Sequence, residues 1–172
     1  KDFKIKNFTT YLPEYSSSTA KVRVIVVARC ELEKNIVRRP DLMTSRVFPT
    51  VWLELNLPKS PRYLLGSAYR EWGSDDEKSV ESQTDRLSSL EEQFIKASDG
   101  PSEVWIGGDW NLDASRFDEK NWRLKTIAAK FSEICELAGL QQKRVGPTYS
   151  YTVNDEVLTS ELDYFLTNSK ES

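Results

Sequence analysis

The chain has 172 residues, with 24 Lys and Arg against 27 Asp and Glu, a net charge of −3, two cysteines and no histidine. That length fits a single domain over 1–172, and 38% hydrophobic with 11% aromatic residues is enough for a packed core. The missing histidine excludes a Ser-His-Asp triad, a Cys-His pair and His-ligated metals, and two cysteines exclude a disulfide framework or a thiolate zinc site.

In chain order, Val22–Ala28 is a β-branched, mostly apolar run that reads as a central strand buried on both faces. Val51–Leu57 alternates, with Val51, Leu53, Leu55 and Leu57 on one face and Glu54 and Asn56 on the other, which predicts a half-buried strand. Pro58-Lys59-Ser60-Pro61 forms a turn, and Arg62–Arg70 pairs back as a hairpin. Gly73–Lys78 is a loop. From Ser79 the period turns helical, with Val80, Leu87, Leu90 and Phe94 on one side, and Asp99-Gly100-Pro101 ends the helix. Val104–Gly108 is a short buried strand that runs into Asp109-Trp110-Asn111. A second helix covers Trp122 to Ala138, with Gly139 placed for a left-handed cap. Tyr149–Thr152 and Glu161–Leu166 are the last strands, on either side of a polar loop at Asn154-Asp155-Glu156. Cys30 and Cys135, on an apolar strand end and a helix face, read as core residues. The order β-β-β-α-β-α-β-β predicts an α/β (α+β) fold of sheets covered by helices.

Chemistry concentrates at Gly108-Asp109-Trp110-Asn111. On an extended backbone residues i and i+2 share a side, so Asp109 and Asn111 would project together from the end of a strand. A carboxylate there can orient or deprotonate water, and an amide can donate to a phosphate oxygen. The same two residues are also ordinary turn formers, and spacing alone leaves both readings open. Asp163 lies in an apolar strand, where a buried carboxylate needs a partner.

These segments resemble the endonuclease/exonuclease/phosphatase superfamily. Gly108-Asp109-Trp110-Asn111 is similar to its Gly-Asp-aromatic-Asn motif. Tyr69-Arg70-Glu71-Trp72 resembles a Tyr-Arg segment of its retroelement-encoded branch. Thr148-Tyr149-Ser150 matches a short Thr-containing strand, and Ser160–Leu166 resembles the Leu-Asp-Tyr strand. The four occur in the family's order, and the resemblance spans nearly the whole chain from Val22. It implies a DNase I-like two-sheet sandwich with helices on the outer faces, and a metal-dependent phosphodiester hydrolase using Mg²⁺ or Mn²⁺. By the same resemblance Asp109 positions or activates the attacking water and Asn111 holds the scissile phosphate. Tyr69 reaches the phosphate or the metal-bound water, and Arg70 joins Tyr69 and Asn111 as a phosphate-binding group. Asp109 and Asn111 are the metal-side residues, and Asp163 is the carboxylate that partners a catalytic histidine in the family.

The family pattern also has an Asn-bearing strand, a strand with a metal-ligating Glu, and a final Ser-Asp-His segment, none of which this sequence shows. Glu14, Glu31 and Glu33 fall in no recognisable motif. The expectation is a domain incomplete at both ends, a retroelement-derived DNA endonuclease with weak or absent cleavage. A catalytically dead module binding nucleic acid or protein is an alternative, for which exposed Trp72, Trp110 or Trp122 would stack on bases. A phosphatase or lipid phosphodiesterase of the same superfamily is another. DNA is the expected partner. No apolar run nears the ~18 residues needed to cross a bilayer, and no signal peptide follows Lys1–Lys6. The expected location is intracellular, in the nucleus for a retroelement nuclease, and the sequence leaves oligomeric state open. Convergence of Tyr69, Asp109, Asn111 and Asp163 in one cleft is the structural check.

Overall fold

The computed structural model describes residues 4–14, 22–45, 47–70, 80–113 and 122–170, with the side chains of 122–124 outside the description. Glu71, Trp72, the predicted loop at 73–78 and Ser79 lie outside the described residues, as does the side chain of Trp122.

The described strands are β1 (Phe8–Tyr11), β2 (Val26–Arg29), β3 (Ile36–Arg38), β4 (Thr50–Asn56), β5 (Arg62–Tyr69), β6 (Glu103–Asp109), β7 (Gln141–Lys143), β8 (Tyr149–Val153), β9 (Glu156–Ser160) and β10 (Asp163–Thr167). Helix α1 (Val80–Ser98) precedes β6 and α2 (Trp122–Leu137) follows it. Six strands form the main sheet in the order β3-β4-β5-β6-β10-β7, while β1-β2 and β8-β9 are separate two-stranded ribbons. β4 and β5 make the predicted antiparallel hairpin, whose turn places Lys59 at φ 61°. β5 and β6 run parallel, with α1 as the crossover that a parallel pair requires.

Alternation along the strands divides the sheet into two faces. Leu64, Val104, Ile106, Tyr164 and Leu166 join Leu87, Leu90 and Phe94 of α1 and Ile127, Phe131 and Ile134 of α2 in the main core. Val51 and Leu53 point the other way and pack against Tyr11 and Val24 in a second, smaller core that also meets Val26, Ala28 and Tyr69. The molecule is thus a helix layer, a central sheet and a partial second β layer. Gly139, at φ +64°, closes α2: its N–H donates to the Glu136 carbonyl (2.9 Å) and the Leu140 N–H to the Cys135 carbonyl (2.8 Å), the paired bonds of a Schellman cap.

Four expectations are corrected. The Val22–Ala28 run is not a central strand: only Val26–Arg29 is strand, it pairs with β1 among the described residues, and Ile25 is 38% exposed. Its apolar alternation serves one face, laid across β4 and β5. β4 is more buried than its pattern implies, because Thr50 and Trp52 on its second face donate to the buried Gln93 side chain of α1, at 2.6 and 3.2 Å. The expected polar loop at residues 154–156 is instead the two-residue turn Asn154-Asp155 and the first residue of β9 in an unforeseen hairpin, β8-β9, with Asn154 and Asp155 both at positive φ, a conformation these residues tolerate. Cys30 is exposed at the start of a 3-10 turn, whereas Cys135 is buried as expected.

Candidate functional site

Tyr69 ends β5, Asp109 ends β6 and Asp163 begins β10. Tyr69 is the register partner of Asp109 on one side and Asp163 is its partner on the other. All three therefore stand at one level of three adjacent strands, on the face turned away from the helices. They line one open cavity of about 680 Å³, together with Leu65, Trp105 and Phe165 of the sheet and Arg23 to Val27 of the second layer. The two glycines before Asp109 permit this arrangement. A Cβ on Gly107 would stand 2.8 Å from the Phe165 ring, and one on Gly108 would stand 2.5 Å from the Ala68 carbonyl oxygen.

Asn111 is not beside Asp109 in the sense expected. β6 stops at Asp109, and Asn111 takes the left-handed conformation at φ 49°. The extended geometry needed for i and i+2 to share a side is thus lost. The Asn111 N–H instead donates to Asp109 Oδ1 (3.1 Å), an Asx turn, and its Nδ2 donates to the Arg70 carbonyl at 2.6 Å. Asp109 lines the cavity, and Asn111 closes the turn.

Trp110 lies between them and is fully buried, so it offers no face to a base. Its ring packs on Phe94, Phe131 and Tyr164, with centroids 6.0, 5.1 and 6.0 Å away. Its Nε1 donates to the Tyr164 carbonyl and its backbone N–H to the Leu162 carbonyl. The turn that follows Asp109 is anchored in the main core through Trp110 and Leu112.

Arg70 is also relocated. It is 2% exposed, and its guanidinium donates to the carbonyls of Trp110 (3.3 Å) and Asn111 (3.2 Å) and to Gln83 Oε1 (2.8 Å). A side chain enclosed this way has no open side for a phosphate, and the expected phosphate-binding role gives way to one beneath the loop. Burial lowers its pKa to about 10, with Tyr164 and Asp109 opposing the shift, so it remains a cation at neutral pH.

Asp163 is exposed, not buried within an apolar strand, because it opens β10 on the cavity side. The buried carboxylate nearby is Glu161, 3% exposed. It accepts from Arg144 Nε (2.8 Å) and from the backbone N–H groups of Val145 (2.9 Å) and Gly146 (3.2 Å). Thr148 Oγ1 accepts the N–H groups of Leu162 and Asp163, both at 3.1 Å. Glu161 and Thr148 thereby hold the entry to β10, a role sequence reasoning missed. The one available signal was a second carboxylate two residues before Asp163.

Burial raises the Asp109 carboxyl above its ordinary 3.8. The facing Asp163 adds to this, while the Asn111 N–H and Arg70 oppose it. The unfolded chain then holds fewer protons than the fold between 3.8 and the raised value, so stability falls as pH rises through that window. Asp109→Asn is accordingly expected to stabilise the protein at pH 7 by a few tenths to about 1 kcal/mol, the scale of like charges placed opposite one another in a sheet. The gain disappears below pH 3.8. Thermal melts of both proteins across pH 3 to 8 would check it, and a loss of stability at neutral pH would contradict the electrostatic account.

Neither a protein-family model nor a curated protein sequence matches the chain. Solved structures do. The chain is similar to the endonuclease domain of TRAS1, a telomere-specific non-LTR retrotransposon, with a TM-score of 0.59 and 17% identity over 94% of this chain and 67% of that one. It is similar to the human Nocturnin catalytic domain, with a TM-score of 0.55 and 11% identity over 94% of this chain and 61% of the other. An endonuclease/exonuclease/phosphatase family protein from Leptotrichia buccalis gives a TM-score of 0.52 and 12% identity, covering 95% of this chain and 60% of that one. The chain spans about three fifths to two thirds of the length of these structures. What they share at such identities is the fold, and the chain has the mixed α/β, DNase I-like fold of endonuclease/exonuclease/phosphatase proteins.

Proposed function

We propose that the chain, as one domain, is a metal-dependent phosphodiester hydrolase of the endonuclease kind, retroelement-derived and directed at DNA, which by itself cleaves weakly or not at all. The observation that supports this is the alignment of Tyr69, Asp109 and Asp163 at one level of β5, β6 and β10 around a shared cavity, on a fold of this class. The likeness to a retrotransposon endonuclease domain favours DNA over a small phosphate ester or a lipid as the substrate. No described helix is long and apolar enough to cross a membrane, and a retroelement nuclease would work in the nucleus.

In this reading Asp109 orients the attacking water from a half-buried position, and Tyr69 reaches the phosphate from the neighbouring strand. Asn111 acts on the site through the Arg70 carbonyl and the Asp109 turn. Asp109 and Asp163 supply hard oxygen donors of the kind Mg²⁺ or Mn²⁺ takes, which it commonly shares with substrate phosphates. Among the described residues no three His, Cys, Asp or Glu side chains group as a metal site. In this reading Asp109 and Asp163 would share a divalent cation with oxygens that the ligand brings. When bound, the cation would supply Lewis-acid stabilisation of charge on the phosphoryl group. The weak-cleavage part of the reading rests on the absence of histidine from this sequence.

A supercoiled-plasmid nicking assay with Mg²⁺, and with EDTA as control, tests the proposal. Nicking barely above the EDTA control is expected. Robust nicking abolished by Asp109→Ala would overturn the weak-cleavage part and leave the site standing. Robust nicking that survives Asp109→Ala would overturn the site.

A further inference from the structure

The cavity of Asp109 and Asp163 carries two carboxylates, and an anionic ligand needs a cation to enter it. Arg70, the cation that motif position suggested, is 2% exposed, with its guanidinium turned to the carbonyls of residues 110 and 111. Among the described residues that line the cavity there is one Lys or Arg, and it is Arg23. Arg23 comes from the second β layer, just ahead of β2, and its guanidinium carbon lies 5.7 Å from the centre of the Tyr69 ring. That is within the range of a cation–π contact, which holds the planar group over an aromatic face. Tyr69 is in turn the register partner of Asp109. Two chain segments 46 residues apart thus bring an exposed arginine and a tyrosine ring together at the end of β5, beside the strand that ends in Asp109.

Resting on the proposed reading of this site, we infer that Arg23, laid over Tyr69 at the cavity of Asp109 and Asp163, is the residue that binds the phosphate of the substrate. A guanidinium is suited to this by its planar fork of donors, which matches two phosphate oxygens at once. Its position explains how an acidic cavity in an acidic protein admits a phosphodiester, and why the buried Arg70 is not needed for that purpose. Tyr69 lines the cavity and its ring seats Arg23.

The test is binding, so it does not depend on turnover. Inorganic phosphate and the dinucleotide thymidylyl-thymidine, which carries one phosphodiester, are titrated separately into the ¹⁵N-labelled chain, once with Mg²⁺ and once with EDTA. Shifts of the Arg23, Tyr69 and Asp109 amides are expected, with the dinucleotide arm showing that a diester and not only free phosphate is taken. Arg23→Gln is expected to weaken binding roughly tenfold to a hundredfold, the scale of a lost hydrogen bond to a charged group. Arg23→Lys should recover part of that loss, and Asp109→Asn should tighten binding in EDTA by removing a like charge. Arg23 is exposed, and an unchanged urea midpoint shows that its variants remain folded. Equal affinity of Arg23→Gln and the unaltered chain overturns the inference, as does the absence of any shift with either probe. Robust nicking that survives Asp109→Ala, beside Arg23-dependent shifts, counts against the proposed catalytic reading of the site and leaves the phosphate contact standing.

Discussion

Arg70→Met is expected to destabilise the protein by about 3–5 kcal/mol, read as a fall in the urea midpoint. Methionine fills much of the aliphatic volume but donates no hydrogen bond, so the change isolates the guanidinium. Three acceptors lose the guanidinium as a donor together: the Trp110 and Asn111 carbonyls and Gln83 Oε1. Each buried acceptor left without a donor costs about 1–3 kcal/mol. Arg70→Lys should recover only a minor part, since a single ammonium cannot span acceptors on two sides of the residue. The effect also reaches the site. Asn111 Nδ2 bonds the Arg70 carbonyl while the Arg70 guanidinium bonds the Asn111 carbonyl, and the Arg70 N–H bonds the Asp109 carbonyl (2.9 Å), so the ends of β5 and β6 are laced together. Amide exchange at residues 109–112 is expected to rise in the variant. A loss below about 1 kcal/mol, the scale of a surface change, would show that Arg70 is not the support described.

Glu161→Ala is the second large effect, about 2–3 kcal/mol at pH 7 from loss of charge-assisted hydrogen bonds. The carboxylate binds the Arg144 side chain and two backbone N–H groups, and it is 3% exposed while Arg144 is 57% exposed. The cost therefore falls mainly on the Val145 and Gly146 amides and on the path of the chain into β8. Burial pushes the Glu161 carboxyl up, but Arg144 and the two N–H groups outweigh it and hold it below its ordinary 4.5. A carboxyl whose pKa is depressed by folding contributes stability above its unfolded value and loses it as pH falls through the folded one. The gap between the parent chain and Glu161→Ala should thus be full at neutral pH and shrink once the pH falls below about 4.5. Urea titrations at neutral and acidic pH would show it, and a gap that stays constant on acidification would contradict the assignment. The sign is opposite to that for Asp109, fifty-two residues earlier in the chain. Asp109 is desolvated with few donors, whereas Glu161 is desolvated with three.

Local patterns were readable where the physics is local. The helix-period apolar residues Leu87, Leu90 and Phe94 all reach the main core, and the Pro58–Pro61 turn does join β4 to β5. Gly139 caps α2 because only a left-handed residue admits the paired bonds there. The site was readable in part. Tyr69, Asp109 and Asp163 come from segments singled out by motif order, and strand register brings them to one level. The expectation about Asn111 failed because it assumed an extended backbone past Asp109, and the chain turns there to bury Trp110. The β8-β9 hairpin was missed because Tyr149, Val153 and Val157 are 45 to 69% exposed, so no burial pattern marks the ribbon.

Composition by itself determined which chemistries are open: with no histidine, any reaction here is done by carboxylates, amides, hydroxyls and cations. Periodicity and turn residues also determined the kind and order of most elements, since both act between near neighbours in the chain. Only the tertiary structure decided which charges are buried and which face the cavity. Motif order singled out Arg70 and Asp163, yet the fold encloses Arg70 and leaves Arg23 exposed, and it buries Glu161 while Asp163 is exposed. Arg70 is enclosed by partners 13 to 41 residues away, and Glu161 by donors 15 to 17 residues away. Desolvation and hydrogen bonding are set by such distant neighbours, and a side chain's own position in the sequence carries no record of them.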